Sequence, residues 1–116
     1  MSINHHFHLR PIKEGFSDEL INDLKNEVEK NSQYVSGYII NKDVILINIK
    51  GPEIFETIFL MSTKLDKYPT VEFPDGTLYS GFKYSRGRKN VFACKLMLLM
   101  KCHLKENLAL TSEDLG

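Results

Sequence analysis

Two runs of β-branched residues, separated by only three polar residues, constrain the fold of this chain most strongly. The runs are YVSGYII and VILINIK, and they flank Asn41-Lys42-Asp43. A connection this short between two such runs is typical of a β-hairpin, so we predict an antiparallel pair of strands. The second run is apolar on both faces apart from Asn48, which predicts an interior strand of a sheet.

The segment before the hairpin, FSDELINDLKNEVEKNS, predicts an amphipathic helix. Ser17 is a good N-cap, and the two acids that follow it lie where the helix dipole favours negative charge. The apolar residues recur at helical spacing and form one stripe, made of Leu20, Ile21, Leu24 and Val28. Opposite that stripe the carboxylates form an acidic ridge, which we define as Asp18, Glu19, Asp23 and Glu27.

The segment NHHFHLR near the start of the chain predicts a strand, because polar and apolar residues alternate. Alternation places His6, His8 and Arg10 on one face and His5, Phe7 and Leu9 on the other. Pro11 favours a sheet edge or a strand end. Two histidines on one face are too few for a metal site, so we expect no metal there. Whether His5, His6 and His8 take part in chemistry stays open.

The second half of the chain contains three further apolar segments. Gly51-Pro52 favours the start of a second helix. The predicted buried side of this helix consists of Ile54, Phe55, Ile58, Phe59, Ser62 and Leu65. Pro74-Asp75-Gly76 predicts a turn between the strands TVEF and TLYSGFKYS. The segment NVFACKLMLLMKCHLKENLAL fits a helix or a long strand, and its Leu, Met, Lys and Ala content favours a helix.

These segments occur in the order strand, helix, strand, strand, helix, strand, followed by the helix or long strand at the end. We therefore predict a single α+β domain over residues 1–116. In it an antiparallel sheet carries the helices on one face, in the ferredoxin-like βαββαβ order. The apolar content of 42% is sufficient for one core in a chain of 116 residues.

Charge and cysteine content limit the classes of function. The formal net charge is zero, which gives no global attraction to nucleic acid or to acidic membranes. No signal-peptide pattern and no long apolar run occurs, so we expect a cytoplasmic protein that does not bind membranes. Cys94 and Cys102 are too far apart to pair within one regular element, and their apolar neighbours predict buried, unreactive, reduced thiols.

The sequence contains no recognisable catalytic, metal or cofactor motif, so we expect neither enzymatic activity nor a cofactor. The leading hypothesis is a small non-enzymatic protein-binding module, most typical of inhibitor or immunity proteins. Such a module would dock a basic partner, for example a toxin or nuclease, through the acidic ridge Asp18, Glu19, Asp23 and Glu27.

The alternative hypothesis is an RNA-binding domain that uses residues 81–89, GFKYSRGRK. Its candidate residues are Phe82, Lys83, Tyr84, Arg86, Arg88 and Lys89. In this case Tyr34 and Tyr38 are expected on the sheet face opposite the helices. An enzyme that uses the histidines of the first strand is a third hypothesis. A homo-oligomer also stays open, because a symmetric partner would bury the apolar C-terminal segment.

Overall fold

The computed structural model describes residues 2–50, 57–85 and 88–110. Over these ranges the chain forms β1 (Ser2–Leu9), α1 (Asp18–Lys30), β2 (Val35–Ile40), β3 (Val44–Ile49), β4 (Thr57–Met61), β5 (Leu78–Ser85), α2 (Arg88–Leu104) and β6 (Leu108–Leu110). The strands make one sheet in the order β2-β3-β4-β5-β1-β6. Every neighbouring pair is antiparallel, which confirms the α+β class.

Helix α1 forms as predicted. The Ser17 hydroxyl accepts a hydrogen bond from the Leu20 backbone N–H at 3.2 Å, which satisfies one of the free donors of the first turn. At the other end, Asn31 donates its side-chain amide to the Glu27 carbonyl at 2.9 Å. The whole predicted apolar stripe is buried, so the periodicity identified the inner face of this helix correctly.

The predicted hairpin is β2 and β3, and a local side chain closes its turn. The Asn41 carboxamide oxygen accepts from the backbone N–H groups of Asp43 at 2.8 Å and Val44 at 2.9 Å. Such self-bonding is the reason that asparagine favours turns. Strand β3 lies between β2 and β4, which confirms the predicted interior position.

The helix predicted from Gly51-Pro52 onward is wrong where the structure describes the chain. Residues 51–56 lie outside the described ranges, but Thr57–Met61 form strand β4, which pairs with β3 on one side and β5 on the other. Ile58 and Leu60 are buried at alternate positions, and this spacing also satisfies a strand. By pairing with both neighbours, β4 provides hydrogen-bond partners for the backbone groups of β3 and β5. The need of these two strands for a partner is not visible in the local sequence around β4.

The segment from residue 70 to the end of α2 follows the predictions more closely. Gly76 has a φ of +88° in the predicted turn, while TVEF contributes only a single bridge, from Glu72 to Leu78. The long apolar segment is helix α2, which ends before the short strand β6. The described elements therefore follow the order βαββββαβ, and the ferredoxin-like βαββαβ order is not observed among them.

Strand β1, which carries the histidines, forms as predicted and ends two residues before Pro11. It pairs with β5 along its whole length and with β6 at Phe7–Leu9. The prediction of a sheet edge is therefore wrong for Phe7–Leu9.

Both helices pack on one face of the sheet. The buried residues of α1 and α2 belong to the same core cluster as alternate residues of the strands, among them Phe7, Ile47 and Phe82. Residues directly opposite each other in antiparallel strands share a face, so the intervening positions point to the other side. We call that other side the open face. It includes His6, His8, Phe59, Tyr79, Gly81 and Lys83.

Candidate binding surfaces

The acidic ridge of α1 is divided between solvent and helix α2. Asp18 and Glu19 in the first turn are exposed, whereas Asp23 and Glu27 are only partly accessible. Glu19, Asp23 and Glu27 follow one side of α1 at i, i+4 spacing, and Asp23 and Glu27 have partners in α2. Two of the four predicted docking residues therefore also have contacts within the protein.

Asp23 pairs with a histidine of α2. The Asp23 carboxylate oxygen Oδ2 lies 2.8 Å from His103 Nε2. This contact directs the His103 ring toward α1. The neighbouring Cys102 is exposed and Cys94 is partly accessible. The prediction of buried thiols is thus wrong for Cys102, and both cysteines lie in α2, eight positions apart.

Glu27 pairs with a lysine of α2. Lys95 Nζ lies 3.2 Å from Glu27 Oε2, an oxygen that is shielded from solvent although the lysine side chain is 60% exposed. A buried carboxylate oxygen is costly unless a donor or cation lies against it, so this contact compensates for the burial. Together with the contact of Asp23, it holds α1 and α2 side by side.

The exposed acidic end of α1 borders a shallow depression of about 390 Å³. The depression is lined by side chains from the start of α1, the loop before it and the end of α2, including Glu14, Asp18 and His103. Glu14 is exposed as well and was not among the predicted residues. Its place beside Asp18 results from the loop that precedes Ser17 and is not visible as a helical repeat.

The aromatic and basic segment 81–89 is distributed over three environments. Phe82 is 1% exposed in the core and stacks edge-on against Phe7, with ring centroids 4.9 Å apart. Lys83 lies on the open face and Tyr84 in the same strand. Arg88 and Lys89 begin α2, and Arg86 lies outside the described residues. Phe82 is therefore not accessible for stacking on a base.

The tyrosines expected opposite the helices lie on the helix side instead. Tyr34 packs against Phe92 of α2, with ring centroids 5.9 Å apart. Tyr38 is the cross-strand partner of the buried Ile47, so it shares the helix-bearing face, where it is 42% exposed. The open face instead carries the rings of His6, Phe59 and Tyr79.

Three of those rings surround Gly81 on the open face. His6 of β1 and Phe59 of β4 are its cross-strand partners on the two sides. Tyr79 extends over Gly81: a β-carbon at Gly81 would lie 2.9 Å from the Tyr79 hydroxyl oxygen. The same oxygen lies 2.6 Å from His6 Nδ1. Glycine at this position thus provides the space that lets Tyr79 reach His6.

His8, the second histidine of this face, belongs to a separate chain of hydrogen bonds. The Thr77 hydroxyl donates to Asp75 Oδ1 at 2.6 Å and lies 3.0 Å from His8 Nδ1. Since the hydroxyl has one proton, which goes to Asp75, it accepts from His8, and Nδ1 is the protonated nitrogen. The His8 ring also stacks on Phe73, with ring planes 4° apart.

The pKa of Asp75 responds to this arrangement. The hydrogen bond from the Thr77 side chain, and then the one from its backbone N–H, lower the pKa of Asp75 below its ordinary value. Because the pKa of Asp75 is lower in the folded state than in the unfolded state, the ionised carboxylate stabilises the folded protein at pH values above the unfolded-state pKa. This stabilisation is lost as the pH falls through the folded-state pKa.

We expect Thr77→Val to raise the pKa of Asp75 toward its ordinary value, because the substitution removes the larger of the two hydrogen bonds. Carboxyl-carbon NMR titration measures this directly. Thr70→Val is the matched control, since the Thr70 hydroxyl donates to the Tyr79 carbonyl and not to a carboxylate. Identical titration of Asp75 in the wild type and in Thr77→Val would contradict the assignment.

The outer side of α2 exposes two large aliphatic residues. Val91 is 74% exposed and Leu98 is 64% exposed, although the inner side of the same helix is buried. Leu98 also borders a groove of about 240 Å³ between α2 and β1, whose other lining residues are His5, Phe7, Met97 and Lys101. The helix is therefore apolar on more than one side, a composition more typical of a helix that is covered.

Within residues 2–50, 57–85 and 88–110, no three His, Cys, Asp or Glu residues come together in a way that could hold a metal ion. Neither described helix combines the length and apolar character needed to cross a bilayer. Searches with protein-family models, curated protein sequences and solved structures found no significant match to this chain.

Proposed function

We propose that the protein is a small non-enzymatic protein-binding module of the inhibitor or immunity type. It docks a basic partner through the outer surface of helices α1 and α2. The observation that carries the proposal is the exposure of Val91 and Leu98 on α2, beside a helix whose first turn exposes Asp18 and Glu19. Protein interfaces commonly combine an apolar centre with a charged rim of this kind.

The contacts between the helices support a shared docking surface. Asp23 with His103 and Glu27 with Lys95 connect α1 to α2 at two successive turns of α1. A rigid surface loses less conformational entropy on binding than a mobile one. Under this proposal Asp23 and Glu27 stabilise the surface, and Asp18 and Glu19 contact the partner.

The charge distribution on α1 indicates which end meets a basic partner. Within α1, Lys25 and Lys30 are exposed farther along the helix, so the unbalanced negative charge of the helix lies at its first turn. The depression beside that turn is lined by Glu14 and also by Lys42. A basic partner is attracted to the first turn before contact, which raises its association rate. The exposed aliphatic residues of α2 then contribute to the lifetime of the complex.

Site-specific photo-crosslinking in the native cell tests the proposal. With a benzophenone amino acid at Glu19 or Leu98, we expect one discrete adduct with a protein of positive net charge. The same amino acid at Lys64 or Glu72, which are exposed in the connection between β4 and β5, should give no such adduct. Equal adducts from all four positions, or none from Glu19 and Leu98, would refute the docking surface.

The captured partner then allows a quantitative test with purified proteins. Neutralising the acidic end with Asp18→Asn and Glu19→Gln should slow association by about tenfold at low salt, with a smaller effect at high salt. Asp75→Asn neutralises an exposed carboxylate in a distant turn and serves as the matched control. An unchanged association rate in the double variant would show that the acidic end does not contact the partner.

A further inference from the structure

A second surface, on the opposite side of the sheet, has the chemistry of a different ligand. On the open face, His6, Gly81 and Phe59 form one cross-strand row, and the Tyr79 ring covers the glycine in its middle. The His6 and Tyr79 ring centroids are 5.5 Å apart. Three aromatic rings from three different strands therefore lie side by side on a surface that bears neither of the described helices.

A positively charged side chain, that of Lys83, lies on the same face as these rings. Lys83 is two residues beyond Gly81 in β5, so its side chain projects from the same face. It lines the same shallow depression as His6, Phe59 and Tyr79, which measures about 270 Å³. Strand β5 continues into the most basic part of the chain, since residues 76–105 contain seven Lys or Arg and no Asp or Glu.

From this juxtaposition we propose that the open face binds single-stranded nucleic acid, with bases stacked on Phe59 and Tyr79 and a phosphate held by Lys83. Aromatic rings with a neighbouring cation on an open sheet are the elements that bind unpaired bases and the backbone between them. The depression is open to solvent, which gives a base access to the rings of the neighbouring strands. A small-molecule site would enclose most of its ligand.

The arrangement differs from the one that the sequence suggested. Phe82 is in the core, whereas Tyr79 and Phe59 were not among the candidate RNA-binding residues. His6 positions the Tyr79 ring through the 2.6 Å contact between its Nδ1 and the Tyr79 hydroxyl. Tyr79 therefore lies over Gly81, between the two neighbouring rings.

Fluorescence anisotropy with labelled single strands of about ten nucleotides, RNA and DNA, tests this proposal. We expect the purified protein to bind the single strands more tightly than a duplex of the same length. Raising the salt from about 50 to about 200 mM should weaken binding. A preference for RNA over DNA would indicate a contact to the 2′-hydroxyl, and equal binding would indicate recognition of bases and phosphates alone.

Matched variants connect binding to the proposed residues. Phe59→Ala and Tyr79→Ala should each weaken binding about tenfold. Tyr79→Phe keeps the ring but loses the contact with His6, so it should weaken binding less than Tyr79→Ala does. Tyr38→Ala removes an exposed aromatic ring on the helix side and should have no effect. Thermal unfolding of each variant establishes that the fold persists; if Tyr79→Ala is unfolded, Phe59→Ala alone decides.

Lys83 has its own control. Lys83→Gln should weaken binding and reduce the slope of log Kd against log salt by roughly 0.7, the value for one phosphate contact on a single strand. Lys25→Gln removes an exposed lysine of α1 and should leave the slope unchanged.

The proposal is overturned if the wild type does not bind single strands at about 50 mM salt. It is also overturned if Tyr38→Ala and Lys25→Gln weaken binding as much as the open-face variants do. Because this face lies opposite the helices, its failure would leave the protein-docking proposal intact.

Discussion

Phe82→Ala is expected to lower the free energy of unfolding by about 3–5 kcal/mol, the range for truncating a buried aromatic residue. Phe82 is 1% exposed and packs edge-to-face on Phe7, with an interplanar angle of 75°. It is also the cross-strand neighbour of Ile58 in β4. Urea denaturation followed by circular dichroism measures the loss.

Phe59→Ala is the informative comparison, because Phe59 belongs to the strand that pairs with Phe82 but points to the open face. Its side chain is partly accessible, so we expect a loss of only about 1–2 kcal/mol. Equal losses from the two substitutions would contradict the assignment of Phe82 to the core. The pair also separates stability from ligand binding, since only Phe59 lies on the proposed nucleic-acid surface.

Gly15→Ala is the second substitution with a large expected effect, about 2–4 kcal/mol of lost stability. Gly15 has a φ of +84°, and a β-carbon there would lie 2.7 Å from the Lys42 carbonyl oxygen. That oxygen already accepts from the Phe16 backbone N–H at 2.9 Å, which attaches the loop before α1 to the β2–β3 turn. Either the loop or the turn has to move.

Gly76 provides a matched control for Gly15. Its φ of +88° is nearly the same, yet a β-carbon there would meet nothing within 4 Å. Gly76→Ala should therefore cost only the conformational part, about 1–2 kcal/mol. Chemical denaturation measures the free energy of unfolding of both variants, and the difference between their two losses is the steric contribution. If the two losses were equal, the contact with Lys42 would contribute nothing.

Local chemistry explains which elements the sequence predicted correctly. Helix α1 is defined by Ser17 and by an apolar stripe of four residues, all of them within one short segment. The β2–β3 turn depends on Asn41 and its next three neighbours. In both cases the stabilising hydrogen bonds join residues at most four positions apart, so the pattern in the sequence contains the necessary information.

Strand β4 shows why the same reasoning failed elsewhere. The sequence around Ile58 fits a helical repeat as well as a strand, so period alone does not decide. This segment is a strand because it pairs with β3 and β5, which are far apart in sequence and both require a hydrogen-bonding partner at this position. A backbone hydrogen bond between distant strands has no local signature.

The same distinction applies to the candidate surfaces. The sequence by itself determined that carboxylates recur along one side of α1 and that His6 and His8 share a face of a strand, because both follow from the repeat of a single element. Only the tertiary structure decided that Asp23 and Glu27 face α2, and that His6 meets a tyrosine 73 positions away. Contacts of this kind depend on which elements become neighbours in space. The packing of the whole hydrophobic core determines which elements those are.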